Sequence, residues 1–186
     1  MLQQRRRNRF IIGVLSLGLF AGAALTAHPA QAVDAVGPYY AEPAWDQKKA
    51  VANRFVVLTN WNSEAVLDKE TGLVWERSPT TTLHTWSAAR LDCTARTTGA
   101  RKGWRLPSFF ELASLVDPAH TNPALPTGHP FLTVQLVGYW SATTDAGNPA
   151  SAWGVDFSLG REVDVIKGNG GGHAWCVRGG MNADQY

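Results

Sequence analysis

Five basic side chains crowd one short stretch of this 186-residue chain: Arg90, Arg96, Arg101, Lys102 and Arg105 face only Asp92 across residues 90–105. Guanidinium groups suit sulfate and carboxylate, because their N–H donors form a rigid fork that matches an oxyanion. Arg96, Arg101 and Lys102 are therefore candidate ligand-binding cations. The alternative is a solvated helix face and turn. Of the eight tryptophans, Trp75, Trp86, Trp140, Trp153 and Trp175 sit in strand or helix motifs and are expected in the core. Trp45 and Trp61 lie in less regular surroundings and are candidates for stacking on a sugar ring.

Enzymatic patterns are sparse. No serine lies in G-x-S-x-G, and neither H-E-x-x-H nor C-x-x-C occurs. His84, His120, His129 and His173 include no pair at i, i+4 spacing. The glycine run at 168–172 ends on His173, where a dinucleotide-binding loop needs glycine, and no helix follows. Asp68 and Glu70 share a turn and read as turn chemistry rather than as a cation site. No catalytic residue, metal or cofactor is expected.

The elements that must position the basic stretch begin beyond a leader. Arg5, Arg6, Arg7 and Arg9 precede the apolar run IIGVLSLGLFAGAALTA, and Ala30-Gln31-Ala32 forms an A-x-A cleavage site. These are the three parts of a secretory signal peptide. Arg9 occupies a position where a twin-arginine signal wants an aromatic or apolar residue, so general secretion is expected, with cleavage after Ala32. The product is expected in the periplasm or secreted to the cell surface, with no membrane span. The leader holds four arginines and no acid, so the balance of 17 basic and 15 acidic residues becomes 13 and 15, or −2. That charge gives no case for nucleic acid as a partner.

In an oxidising compartment Cys93 and Cys176 most simply form one disulfide. It would close a loop of roughly 84 residues and add about 4–5 kcal/mol in the chain-entropy treatment. The alternative is two free thiols, one of them catalytic.

Residues 33–53 show no sustained period and read as an arm or linker, and 182–186 as a tail. Between them, 54–181 form one domain. RFVVLT, EAVLD and GLVWER are short strands, with a turn at 68–72. TWSAARLDCTART is a helix that places Cys93 on its inward face, with Thr85 as N-cap. Ser108-Phe109-Phe110-Glu111 is a capping box, and Phe109, Leu112, Ala113 and Val116 continue as one apolar stripe. Asp117-Pro118 ends it. Residues 118–137 read as a long surface loop. GYWSATT, AWGVDFSLG, REVDVIKG and HAWCVRGG return to strand, with a hairpin turn at Leu159-Gly160. No internal repeat is present. Strands around segregated helices indicate an α+β class with a mostly antiparallel sheet and two helices.

Six motifs, LDKETGLVWER, TWSAARLDC, GWRLPSFFELASLVDP, GYWSATT, AWGVDFSLG and WCVRGG, occur in that order across residues 64–180. Together they resemble the Lcl C-terminal domain family of bacteria. The resemblance implies a fold similar to C-type-lectin-like and formylglycine-generating-enzyme-like domains, and it supports the Cys93–Cys176 pairing. It also implies export and, from some members, adhesion to sulfated glycans. Lectin calcium motifs are missing: Glu42-Pro43-Ala44 and Trp61-Asn62-Ser63 are near misses in the wrong order. Hence the expectation is an exported, non-enzymatic recognition or adhesion domain at the cell envelope. Its partner would be a sulfated or anionic polysaccharide. The alternatives are a structural subunit that contacts another envelope protein, and an enzyme related to the formylglycine-generating domains.

Overall fold

Short runs of β-branched and aromatic residues, each broken by a turn, can bury one face only by pairing with one another. The computed structural model describes residues 49–179, in which these runs pair into two antiparallel sheets. The leader at 1–32, the arm through residue 48 including Trp45, and the tail at 182–186 lie outside the described residues.

The chain enters on a four-residue helix, α1 (Val51–Arg54), followed by β1 (Phe55–Val57), β2 (Ala65–Asp68) and β3 (Leu73–Glu76). The end of the expected arm is thus helical, and Val51 packs on the core. Then come α2 (Trp86–Ala95), α3 (Phe109–Ala113), the meander β4 (Gly138–Thr144), β5 (Ser151–Asp156) and β6 (Arg161–Ile166), and finally β7 (Val177–Arg178). The first sheet has the order β1-β2-β3-β7, so the last strand returns to pair with β3 through Trp75↔Val177. The second sheet is β4-β5-β6. The α+β class and antiparallel pairing expected from the sequence are what the chain forms, with two sheets in place of one.

Two cores result. One is aromatic: Phe131 and Phe157 pack on Trp175 at 4.9 and 5.3 Å, and Trp75 at 5.9 Å, backed by Leu112, Leu115 and Leu125. The other is built from small residues around a disulfide: Ala65, Ala89, Ala152 and Ala174 surround Cys93–Cys176, beneath Trp104 and Trp140. The bond joins α2 to the residue before β7, with Cα atoms 5.3 Å apart. No free cysteine is left.

Four expectations need correction. The apolar stripe through Val116 is not all helix, because α3 ends at Ala113. Leu115 and Val116 donate three residues back, to Leu112 and Ala113, which tightens the last turn, and the Ser114 carbonyl is drawn off by Arg54 Nη2 at 2.8 Å. The 118–137 segment is not merely a surface loop, since Ala124, Leu125 and Phe131 are buried. Ala124 N–H donates to the Phe157 carbonyl at 2.7 Å. The HAWCVRGG strand is reduced to two residues, preceded by single bridges at Gly172 and His173. Finally, Trp75, Trp140 and Trp175 are buried as expected, whereas Trp86 and Trp153 are only partly buried.

Candidate functional site

The basic stretch divides according to what each cation touches. Arg105 belongs to the scaffold. Its guanidinium makes two parallel hydrogen bonds to Glu111, at 2.6 and 2.7 Å, and a third to the Gly179 carbonyl at 2.7 Å. Glu111 also completes the capping box of α3, accepting from Ser108 N–H at 2.8 Å while Ser108 Oγ accepts from Glu111 N–H. Through Arg105, one carboxylate therefore ties the start of α3 to the chain just past β7.

Arg96 is also engaged. It forms an i, i+4 pair with Asp92 at 2.7 Å, and its Nε lies 3.4 Å from Glu76. Glu76 is buried, and burial holds its pKa above the ordinary carboxylate value. Arg96, the Thr98 hydroxyl at 2.7 Å and Cys176 N–H at 3.3 Å work against that shift. Glu76, Asp92, Arg96 and Thr98 line an open cleft of about 920 Å³ between the Asn62–Glu64 loop, β3 and the end of α2. Arg96 thus faces a cleft whose nearest charges are acidic.

Arg101 and Lys102 differ. Both are exposed. The Arg101 guanidinium sits 5.4 Å from the centroid of Trp61, and Arg178, from β7, sits at the same distance from that ring. Arg178 Nε donates to the Lys102 carbonyl at 2.9 Å, which draws the two segments together. Among the described residues neither Arg101, Lys102 nor Arg178 has a carboxylate partner.

The loop that carries Arg101 is tightly fixed. Buried Trp104 donates its indole N–H to the carbonyls of Thr98 and Arg101, at 3.2 and 3.0 Å, and meets Trp61 edge to face at 6.4 Å. Gly99 N–H donates to Glu64 at 2.6 Å. Gly99 has φ +65°, and a Cβ there would stand 2.8 Å from the Trp61 Cβ, so only glycine lets the loop approach this closely.

A model of the Lcl C-terminal domain matches residues 64–178. The chain belongs to the Lcl C-terminal domain family. No curated protein matches it. The Lcl C-terminal match spans Glu64, the disulfide, the Trp104 loop and Arg178, and so takes in most of the frame around Trp61.

Of the residues singled out from the sequence, Trp61 and Arg101 come together, Lys102 follows Arg101 with its carbonyl held by Arg178, and Arg96 stands apart in the cleft. Arg178 was missed. Its signal lay in the disulfide: Cys176 is held against α2, and a residue two positions on points to the same side of an extended chain. Other polar candidates resolve into scaffold. Asp68 makes a buried, two-point pair with Arg54 at 2.8 and 2.9 Å and accepts from Glu70 N–H, which is the turn chemistry expected. The histidines have separate partners: His84 beside Asp92 at 3.8 Å, His120 against Asp117 at 2.9 Å, His129 stacked on Phe131, and His173 on the Thr82 carbonyl at 3.1 Å. Burial lowers the pKa of His129 and His173 and keeps both rings neutral at pH 7. Among the described residues no three His, Cys, Asp or Glu side chains gather as metal ligands, and no helix is long and apolar enough to cross a membrane.

Proposed function

We propose that this Lcl C-terminal domain is a non-enzymatic recognition module of an exported envelope protein, binding sulfated or otherwise anionic glycans through Trp61, Arg101, Lys102 and Arg178. The observation that carries the reading is the pair of guanidinium groups beside one half-buried indole, with no carboxylate among the described residues to neutralise them. Guanidinium on an aromatic face is held by cation–π attraction while its N–H edge stays open. That edge takes a sulfate in two-point fashion. The disulfide between α2 and the final strand supports a C-type-lectin-like arrangement, and it supports the non-enzymatic reading too, since it leaves no thiol for formylglycine-type oxidation. Export rests on the leader read from the sequence.

The test is retention of the exported protein on a heparin column across a salt series. With an expected net charge of −2, retention must come from local basic patches and not from bulk charge. Alanine at Arg101, Lys102 and Arg178 together is expected to lower the salt midpoint of elution, while Arg96→Ala leaves it in place. An unchanged midpoint in the triple variant sinks the proposal. A second reading, contact with another envelope protein, is favoured by Phe110, which is 73 % exposed. Silence on a glycan array together with co-purification of a protein partner would select it.

A further inference from the structure

Trp61 is not the only indole with two cations. Trp86, the first residue of α2, has the Arg90 guanidinium 4.7 Å and the Lys167 ammonium 4.4 Å from its ring centroid. The ring itself is anchored, because its N–H donates to the Ser141 carbonyl at 2.8 Å. Lys167 is anchored as well. Its Nζ donates to Thr144 Oγ1 at 2.8 Å and to the Pro149 carbonyl at 3.0 Å, and its own carbonyl accepts from Trp86 N–H at 3.1 Å. An ammonium has three donors, so one remains for a ligand. Arg90 is exposed, and among the described residues neither cation has a carboxylate partner.

The two cation-flanked indoles mark opposite ends of one helix. Trp86 opens α2, and Trp61 lies under Gly99, four residues past its last residue, Ala95. Ten helical residues span about 15 Å at 1.5 Å each. Between the ends, α2 turns Ser87, Arg90, Leu91 and Thr94 to solvent, at helical spacing and without an acid. The one acid of α2, Asp92, is occupied by Arg96.

We infer that Trp86, Arg90 and Lys167 form a second anion-binding site, and that a polyanionic glycan lies along α2 with its charges held at both ends. The inference rests on the glycan reading of the Trp61 site and extends it from a point contact to a tract. A long chain then binds both sites at once, with the second contact made at high effective concentration. A fragment too short to span the helix fills each end separately.

Calorimetric titration of the exported protein with a heparin-derived disaccharide and dodecasaccharide separates the possibilities. The disaccharide is expected to bind with two per chain, falling to one in Arg90→Ala/Lys167→Ala and to one in the Arg101, Lys102, Arg178 alanine triple. The dodecasaccharide is expected to bind one per chain throughout, about a hundredfold more weakly in either variant. Lys167→Gln keeps a donor for Thr144 and Pro149 but removes the charge. A matching loss in Arg90→Ala/Lys167→Gln therefore reports charge and not folding. A stoichiometry of one for the disaccharide, with dodecasaccharide affinity untouched by either Lys167 variant pair, overturns the second site and leaves the first standing. No binding of either fragment by the parent protein overturns both.

Discussion

Arg54 and Arg101 are the same residue type in opposite circumstances. Arg54 is 2 % exposed and closes on Asp68, which is fully buried, with the Ser114 carbonyl taking a further N–H. Arg101 lies at the surface beside Trp61 and spends nothing on a carboxylate. A buried guanidinium must have its charge and donors matched, because the alternative is a charge left in a medium that cannot solvate it. An exposed one is under no such demand, and its donors remain available. The contrast teaches that a basic patch read from sequence is only an upper bound on binding capacity. Arg96 and Arg105 are subtracted by Glu76, Asp92 and Glu111, and Arg178 is added from 77 positions beyond Arg101.

The most severe way to probe the contrast is to break the buried pair. Arg54→Ala leaves the Asp68 carboxyl enclosed without its partner, and is expected to cost about 3–5 kcal/mol in urea unfolding. The double change Arg54→Met/Asp68→Leu is expected to recover most of that loss, since apolar packing can replace a buried pair once neither charge remains. If the single change costs as little as an exposed one, the distinction between the two arginines fails.

Tyr139 tests the same principle with a neutral group. Its phenol is buried, accepts from Gln135 N–H at 2.7 Å, and is pushed up to about 12 by burial. A value raised in the folded state means that the native chain holds the proton more tightly than the unfolded one. The resulting stability is whole below about pH 10, where an unfolded tyrosine begins to ionise, and is lost as pH rises through 12. The loss is expected to reach about 2–3 kcal/mol. Tyr139→Phe should lack that alkaline slope, and its ultraviolet phenolate titration should lose a component near pH 12. An identical slope in both proteins would assign the alkaline loss to other groups.

How much of this was legible depended on distance along the chain. The capping box of Ser108 and Glu111 is a four-residue pattern and was readable outright. So was the inward face of α2 through Ala89 and Cys93. Arg105 was readable only as one of five cations, and its partners Glu111 and the Gly179 carbonyl are supplied by the fold. Trp86 was misplaced because helical spacing puts it on the Cys93 stripe, yet a residue at the first turn can overhang the edge of the core. Arg54–Asp68 depends on the register Phe55↔Asp68 between β1 and β2, which the turn at 68–72 does not determine. The Trp61 site needs β7 beside β3 and a glycine at a left-handed position, and neither is a local property.

That glycine supplies an intermediate effect. Gly99→Ala adds a Cβ in a left-handed conformation and against the backbone end of the Trp61 side chain, which has little room to retreat. The expected cost is about 1–2 kcal/mol, with heparin retention weakened as Trp61 and Arg101 separate. If stability falls while retention holds, the loop serves the fold and not the site.

At the exposed end the expected change is nearly nil for folding. Arg101→Ala and Arg178→Ala each remove one cation–π contact at 5.4 Å, the latter with an exposed hydrogen bond to the Lys102 carbonyl, and the two should stay within about 0.5 kcal/mol of the parent protein in urea. Any larger loss would mean that the guanidiniums hold Trp61 in place, which would return them to the class of Arg54 and Arg105. Stability that stays level while the heparin salt midpoint drops is the signature of side chains kept for a ligand. The same pair of measurements on Arg105→Ala should give the reverse, because Glu111 and the Gly179 carbonyl lose their partner together while the surface charge beside Trp61 is unaltered.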